Sequence, residues 1–409
     1  MPERPVALIS TIQPSSGGVA AKLRWVVAEL QALGVTPLLA WYEPWSISPR
    51  LSVPLLSLGP ALLHGLRPSK QSATVWPGVE GTGIGCWLPE LEFTHYQPTC
   101  HWSQLIRAAH LHLAVTGNPL CAHRFLASGR PFLAWIGTPW HGDRVDRVRE
   151  FPWHRRLLDS AINSPVLRHQ ERRVLQAPQG RLLTISRRTA QELEQIGERP
   201  VAGVLYRPPD PQLFQPAPGV RVPWRIGFSG RYSDPRKQLP LLLDAVAILI
   251  ALGHPVELEL TGEKDGQRLI AADLAARGLQ EHVRCHPYLH PSQLASVLQS
   301  WDLFVIPSHQ EGLCIAALEA MACGVPVVST RCGGPDDFVI PETTGAFVPH
   351  EPAAMAAAIA RICGNPPLRH HLGQGSLAWI ATHADAREAR RRFRAHLRAI
   401  YPALAIPDA

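Results

Sequence analysis

"WRIGFSGRYSDPRKQLPLLLDAVAILIALGHPVELELTG", Trp224 to Gly262, holds two short β-rich runs on either side of one long apolar run that Gly253 ends. The middle run is too long for a strand and has the length of a helix, so the stretch reads as strand, helix, strand. Working forward, the alternation continues: helix "GQRLIAADLAARG", strand "HVRCHPY", helix "PSQLASVLQS", strand "WDLFVIPS", helix "IAALEAMACG", strand "VPVVST". Such an alternation predicts a parallel sheet covered by helices on both faces. The chain closes on a basic helix, "DAREARRRFRAHLRAIY".

Working backward, the Pro-rich stretch "YRPPDPQLFQPAPGVRVP", Tyr206 to Pro223, reads as a linker. Before it, "PVALIST", "IQPSSGG", "VAAKLRWVVAELQALG" and "VTPLLAW" give a second strand, loop, helix and strand, with Gly17 and Gly18 at the helix N-terminus. Leu23, Val26, Val27, Leu30 and Leu33 form its apolar stripe. Further strands are expected at 112–116, 131–136 and 182–185, and a helix at "RRTAQELEQIG"; residues 45–100 carry no assignable pattern. The expected domains are 1–218, 219–385 and a closing helix at 386–409 that packs back on the first.

Bulk properties narrow the function. A chain of 409 residues suits two domains. No apolar run reaches the ~18 residues of a spanning helix, and the apolar segment after the first charges is too short for a signal peptide, so a cytoplasmic protein is expected. The eight cysteines show no C-x-x-C pair and fit reduced thiols; neither zinc nor a disulfide framework is indicated. The net charge of +7 is uneven: residues 1–218 hold 22 Lys+Arg against 15 Asp+Glu, and residues 219–409 hold 18 of each. It is densest in Arg144 to Arg188, eleven arginines against four acids. The arginines have no helix-turn-helix, finger or RNP-like aromatic pattern beside them, so no nucleic-acid partner is expected. Mixed with Val145, Val148, Phe151, Trp153, Leu157 and Leu158, they suit an anionic membrane surface, the inner face, or a phosphate-bearing acceptor; a solvated basic helix explains them equally well.

Chemistry is expected where parallel strands end. "LFVIPS" delivers the chain to "HQEG", and the N–H groups of Gly312, Leu313, Cys314 and Ile315 open the next helix as an anion site suited to a diphosphate. Glu311 precedes that site and Glu319 lies within the helix, roughly 6 to 9 Å along it at 1.5 Å per residue. Glu311 could hold a sugar and Glu319 a ribose, with the diphosphate between; on spacing alone, two acids on a helix edge are the commoner explanation. The basic loop "FSGRYSDPRKQ" adds Arg231 and Lys237, with Arg236 beside them, at another strand end.

"EGLCIAALEAMACGVPVVSTRCGGPDDFV", Glu311 to Val339, resembles the E-x7-E signature of family 4 retaining glycosyltransferases of the GT-B type. "GRYSDPRKQLPLLLDA" is similar to that family's GR-x-K element, "PSSGGVAAKLRWVVAEL" to its glycine loop, and "ISRRTAQELEQIG" with "YRPPDPQLFQP" to its bridge between domains. The resemblance covers the C-terminal half well and the N-terminal half thinly. It implies an α/β, GT-B fold with two Rossmann-like domains facing across a cleft, and transfer of a hexose-type sugar from a nucleoside diphosphate, such as a UDP- or GDP-sugar, with retention. It implies no metal or other cofactor, and as partners a nucleotide sugar and an acceptor sugar, lipid or glycan precursor. Glu311 would contact the sugar, Glu319 the ribose, Arg231 and Lys237 the diphosphate, with Gly17, Gly18, Gly230 and the turn Gly312 to Ile315 lining the donor. The sequence departs at "YRPPD", where "NGVD" is usual, and at Cys314, often a glycine. Where many members have a histidine facing the reaction, "PFLAWIGTPWHGD" has Gly137 or Thr138 nearest and His141 as the candidate. A nucleotide-sugar epimerase, a phosphorylase and an inactive binding relative share these expectations.

Overall fold

The computed structural model describes residues 4–14, 17–142, 144, 148–217, 219, 221–287, 289–402 and 404. β1 (Val6–Thr11) leads through Gly17 into the Gly18–Ala32 helix, and β2 (Thr36–Tyr42) returns parallel to β1 with Leu8 opposite Leu38. All of β1 beyond Val6 is buried, as a strand covered on both faces must be. The unassigned region supplies β3 (Lys70–Trp76) and β4 (Val79–Ile84), an antiparallel pair turning at Pro77-Gly78, of which β4 runs parallel to β2. β5 (Leu111–Thr116), β6 (Phe132–Ile136), β7 (Gly180–Thr184) and the short β8 (Gly203–Val204) complete the order β3-β4-β2-β1-β5-β6-β7-β8. Lys22, only 1% exposed on the first helix, donates to the carbonyls of Thr116 at 2.7 Å and Trp135 at 3.2 Å, tying that helix to β5 and β6.

The second unit repeats the plan. β9 (Arg225–Ser229), β10 (Glu257–Thr261), β11 (Val283–Cys285), β12 (Leu303–Ile306), β13 (Val327–Thr330) and β14 (Gly345–Val348) are all parallel, in the order β11-β10-β9-β12-β13-β14. Numbered within the unit this is 3-2-1-4-5-6, the doubly wound order, and its direction reverses between β9 and β12. Leu242, Val246 and Leu249 of the Leu239–Ala251 helix are fully buried with Leu258, Leu303 and Val305. Each such side chain contributes roughly 1.5–3 kcal/mol by leaving water.

The chain divides after Leu205, and the residues from Arg390 on belong with the first unit. The break expected at 218 therefore falls earlier. The proline-rich stretch packs into the second unit rather than hanging as a linker: the Tyr206 hydroxyl donates to Asp337 at 3.0 Å, and Phe214 is 4% exposed. At the other end, Phe393 sits edge-on to Trp25 at 5.3 Å and Arg390 donates to Glu29 at 2.8 Å. Among the described residues no helix is long and apolar enough to cross a membrane.

Candidate nucleotide-sugar site

A doubly wound sheet offers its ligand crevice where neighbouring strands send their chains in opposite directions, outside their carboxyl ends. In the second unit those strands are β9 and β12. After β9, Gly230 donates its N–H to the Thr261 carbonyl at 2.9 Å, and the chain makes a short 3-10 turn at Pro235–Lys237. Asp234 opens this turn by accepting from the Arg236 N–H, and its carboxylate grips the Arg236 guanidinium at 2.7 Å. Burial pushes the Asp234 carboxyl up, but Arg236 overrides it and holds the group down at about 2. Arg236 also donates to Gln310 at 3.0 Å and accepts the His309 N–H at 2.8 Å, so the loops after β9 and β12 are fixed to each other.

That clamp aligns Lys237 with Glu311. Nζ donates to Oε1 at 2.6 Å, and Ser308 Oγ donates to the same oxygen at 2.7 Å. Oε2 accepts no hydrogen bond among the described residues. Burial alone would pull the Lys237 ammonium down, but the adjacent carboxylate outweighs it and the net shift is upward, so the lysine stays charged. The Glu311 backbone is held from the other side, its N–H donating to the Cys332 carbonyl at 2.7 Å and its carbonyl accepting from Gly334 at 2.9 Å. This approach requires glycine: a Cβ on Gly334 would stand 2.4 Å from the Gly312 oxygen.

The Ile315–Ala322 helix follows, capped by Cys314 at φ 67 in the left-handed region. Burial, with the Glu311 carboxylate adding to it, pushes the Cys314 thiol up to about 12, so it is a neutral packing group. The N–H groups of Gly312, Leu313, Cys314 and Ile315 donate to no acceptor among the described residues, the arrangement a helix N-terminus presents to an anion. Glu319 lies one turn further on, 8% exposed, and accepts from Arg207 at 2.8 Å. Burial raises the Glu319 carboxyl; Arg207 opposes the shift without reversing it. Arg207 is the residue that sequence reasoning missed. The only signal for it was the departure at "YRPPD", which places an arginine 112 positions from its carboxylate.

Arg231 is 56% exposed and lies 3.5 Å from Asp234. In the first unit Gly17 takes φ 87 at the start of the Gly18–Ala32 helix, with open space where its Cβ would be. After β6, Gly137 and Thr138 donate to the Gly117 carbonyl at 2.8 and 2.7 Å, so neither reaches outward by its N–H. His141 is exposed in the following turn. The turn rests on Trp140, whose N–H donates to buried Glu171 at 2.7 Å. Arg144 pairs with Glu92 and Asp159, so the basic segment begins with an arginine held internally. Arg147 is not among the described residues, whereas Arg155 and Arg156 lie on the Trp153–Leu158 helix, which buries none of its residues.

Two α/β units with parallel, Rossmann-like sheets, the second carrying a charge-lined strand crevice, define the class: this is the fold of the GT-B glycosyltransferases. Sucrose-phosphate synthase from Thermosynechococcus elongatus matches with a TM-score of 0.73 at 19% identity, over 98% of this chain and 100% of that one. Anabaena HepE in complex with UDP-glucose matches with a TM-score of 0.68 at 16% identity, over 97% and 100%. Within that class, residues 220–379 match the family model Glycosyl transferases group 1. The D-inositol 3-phosphate glycosyltransferase of Thermobispora bispora is 32% identical over 226 residues, 49% of this chain and 53% of that protein. The MMP alpha-(1->4)-mannosyltransferase of Mycolicibacterium hassiacum is 31% identical over 255 residues, 60% of this chain and 59% of that protein. The chain thus spans about half the length of the curated relatives it matches.

Proposed function

We propose that the chain transfers a hexose-type sugar from a nucleoside diphosphate sugar to an acceptor, with retention of configuration. The observation that carries this reading is the Lys237–Glu311 pair beside the unpaired N–H groups that open the Ile315–Ala322 helix. The diphosphate would sit on those N–H groups at the positive end of the helix dipole. Lys237 and Arg231 would supply fixed positive charge as the diphosphate departs, the kind of preorganised stabilisation that accounts for much of enzymatic rate. The unpartnered Oε2 of Glu311 is suited to a sugar hydroxyl, and Glu319, kept in place by Arg207, to the ribose hydroxyls. With cations built into the chain, the reaction needs no metal.

For the acceptor, the positive first half and relatives named for an inositol 3-phosphate substrate both favour a phosphate-bearing molecule or an anionic surface. Incubating the protein with donor and candidate acceptors and reading the product by NMR tests the reaction. Retained anomeric configuration, survival of activity under chelation and a loss of turnover on the order of 10²-fold in Lys237→Ala support it. An inverted product, or wild-type turnover in Lys237→Ala, overturns it. Donor converted without any acceptor would favour an epimerase; release of a sugar phosphate would favour a phosphorylase.

A further inference from the structure

The first unit carries an apolar projection that serves neither its sheet nor the candidate site. Its two ends are tied together at the base, where Ser69 donates its N–H to the Leu51 carbonyl at 2.9 Å. Val53 donates to Cys86 at 3.0 Å and accepts from Leu88 at 2.8 Å, and Leu55 donates its N–H to Glu90 at 3.0 Å. From that pinned base the chain runs out through a 3-10 turn at Leu55–Ser57 and a helix at Leu58–His64, closed by Gly65 at φ 66 with Leu66 donating back to the Ala61 carbonyl. Ala61 is the helix's one buried residue.

The leucines face water. Leu55 is 62% exposed, Leu56 94%, Leu62 69%, Leu63 85% and Leu66 56%. Scattered exposed apolar residues need no explanation, but five leucines on a twelve-residue excursion form a patch of the kind that marks an interaction surface. The charge around it identifies the partner. Between Glu43 and Glu80 there is no Asp or Glu, while Arg50, Arg67 and Lys70 flank the leucines and His64 lies among them. An apolar tip ringed by cations is the pattern of a segment that enters the headgroup region of an anionic bilayer, leucines towards the acyl chains and cations at the phosphates.

We propose that residues 54–68 dock the first unit on an anionic lipid surface by inserting these leucines. The proposal does not rest on the transferase reading, and it assigns membrane contact to a segment other than the basic run Arg144 to Arg188. The full chain is sedimented with vesicles of phosphatidylcholine alone and with added phosphatidylglycerol. Binding is expected with the anionic vesicles, with part of it persisting as salt rises, because screening removes attraction between charges and leaves apolar insertion. The combined Leu56→Gln, Leu62→Gln and Leu63→Gln variant should keep the wild-type melting temperature and lose binding by about tenfold or more, each leucine having little core contact to lose. Arg67→Gln with Lys70→Gln should reduce binding only to anionic vesicles. Absence of wild-type binding overturns the proposal. Unchanged binding in the leucine variant does so as well, assigning the contact to charge elsewhere, as does a wild-type dimer on size exclusion that the leucine variant converts to monomer without any vesicle binding. Donor-induced stabilisation, measured alongside, should be equal in wild type and variants whatever the vesicle result.

Discussion

Lys237 keeps its proton in a buried place because Glu311 lies 2.6 Å away, and each residue makes the other tolerable there. The sequence singles out both as candidates, from the loops that follow two apolar strands, but it does not show that they pair with each other. Arg207 was not legible, because its partner is distant in the chain and its surroundings read as linker. Cys314 shows a departure whose physical effect the structure makes plain: at φ 67 it holds a conformation that suits glycine. Cys314→Gly is expected to stabilise the protein by roughly 1 kcal/mol in denaturant melts, while Cys314→Ala, which keeps the Cβ, should not. Glu171 offers a pH test away from the candidate site. Burial raises its carboxyl to about 7, with the Trp140 N–H opposing. The folded state then binds the proton more tightly than the unfolded one, so stability is full below the ordinary carboxylate pKa, falls as pH rises towards 7 and levels off above it. Glu171→Gln keeps the acceptor for Trp140 and should remove that slope, gaining on wild type by on the order of 3 kcal/mol from pH 4.5 to 8. Parallel slopes would show that Glu171 ionises normally.

At the scale of elements, the parallel core of each unit was readable because βαβ units alternate short β-rich runs with long apolar ones. The β3 and β4 pair was not. Residues Lys70 to Thr74 are all exposed, so this edge strand has no buried face to impose an alternation, and Pro77-Gly78 was its one turn signal. β14 escaped notice as well: its two central residues are only part-buried, and no helix-length run separates it from β13 to continue the alternation. The contact between Glu311 and the turn at Gly333-Gly334 joins two elements that the sequence shows only as separate loops. Gly334→Ala should therefore act on both stability and donor binding. Its methyl cannot fit against Gly312 without moving the start of the Ile315–Ala322 helix, and a cost of roughly 1–3 kcal/mol is expected together with weakened nucleotide binding. A variant that binds donor as wild type does would mean that this contact does not position the helix N-terminus.

Across the whole molecule, the charge split that the sequence shows has a structural counterpart. In the second unit the cations near the candidate site are largely matched by carboxylates: Lys237 by Glu311, Arg236 by Asp234, Arg207 by Glu319. In the first unit, Arg155 and Arg156 share a helix with exposed Trp153 and Leu157. The division between the units moved from 218 to Tyr206 because the proline-rich stretch, which composition alone marks as a linker, carries Tyr206 and Arg207 into contacts with Asp337 and Glu319. The proposed function requires that the second unit bind a nucleoside diphosphate sugar at the carboxyl ends of β9 and β12. The most direct measurement is thermal unfolding of the full chain against a panel of nucleoside diphosphates and their sugars, for wild type and Glu319→Ala. At about a hundred times its Kd a ligand adds roughly 2.7 kcal/mol to the stability of the state that binds it. At least one nucleoside diphosphate sugar should therefore raise Tm by about 5 °C or more, and Glu319→Ala should lose most of that rise. A wild type that no member of the panel stabilises, or a shift that Glu319→Ala leaves intact, would contradict it.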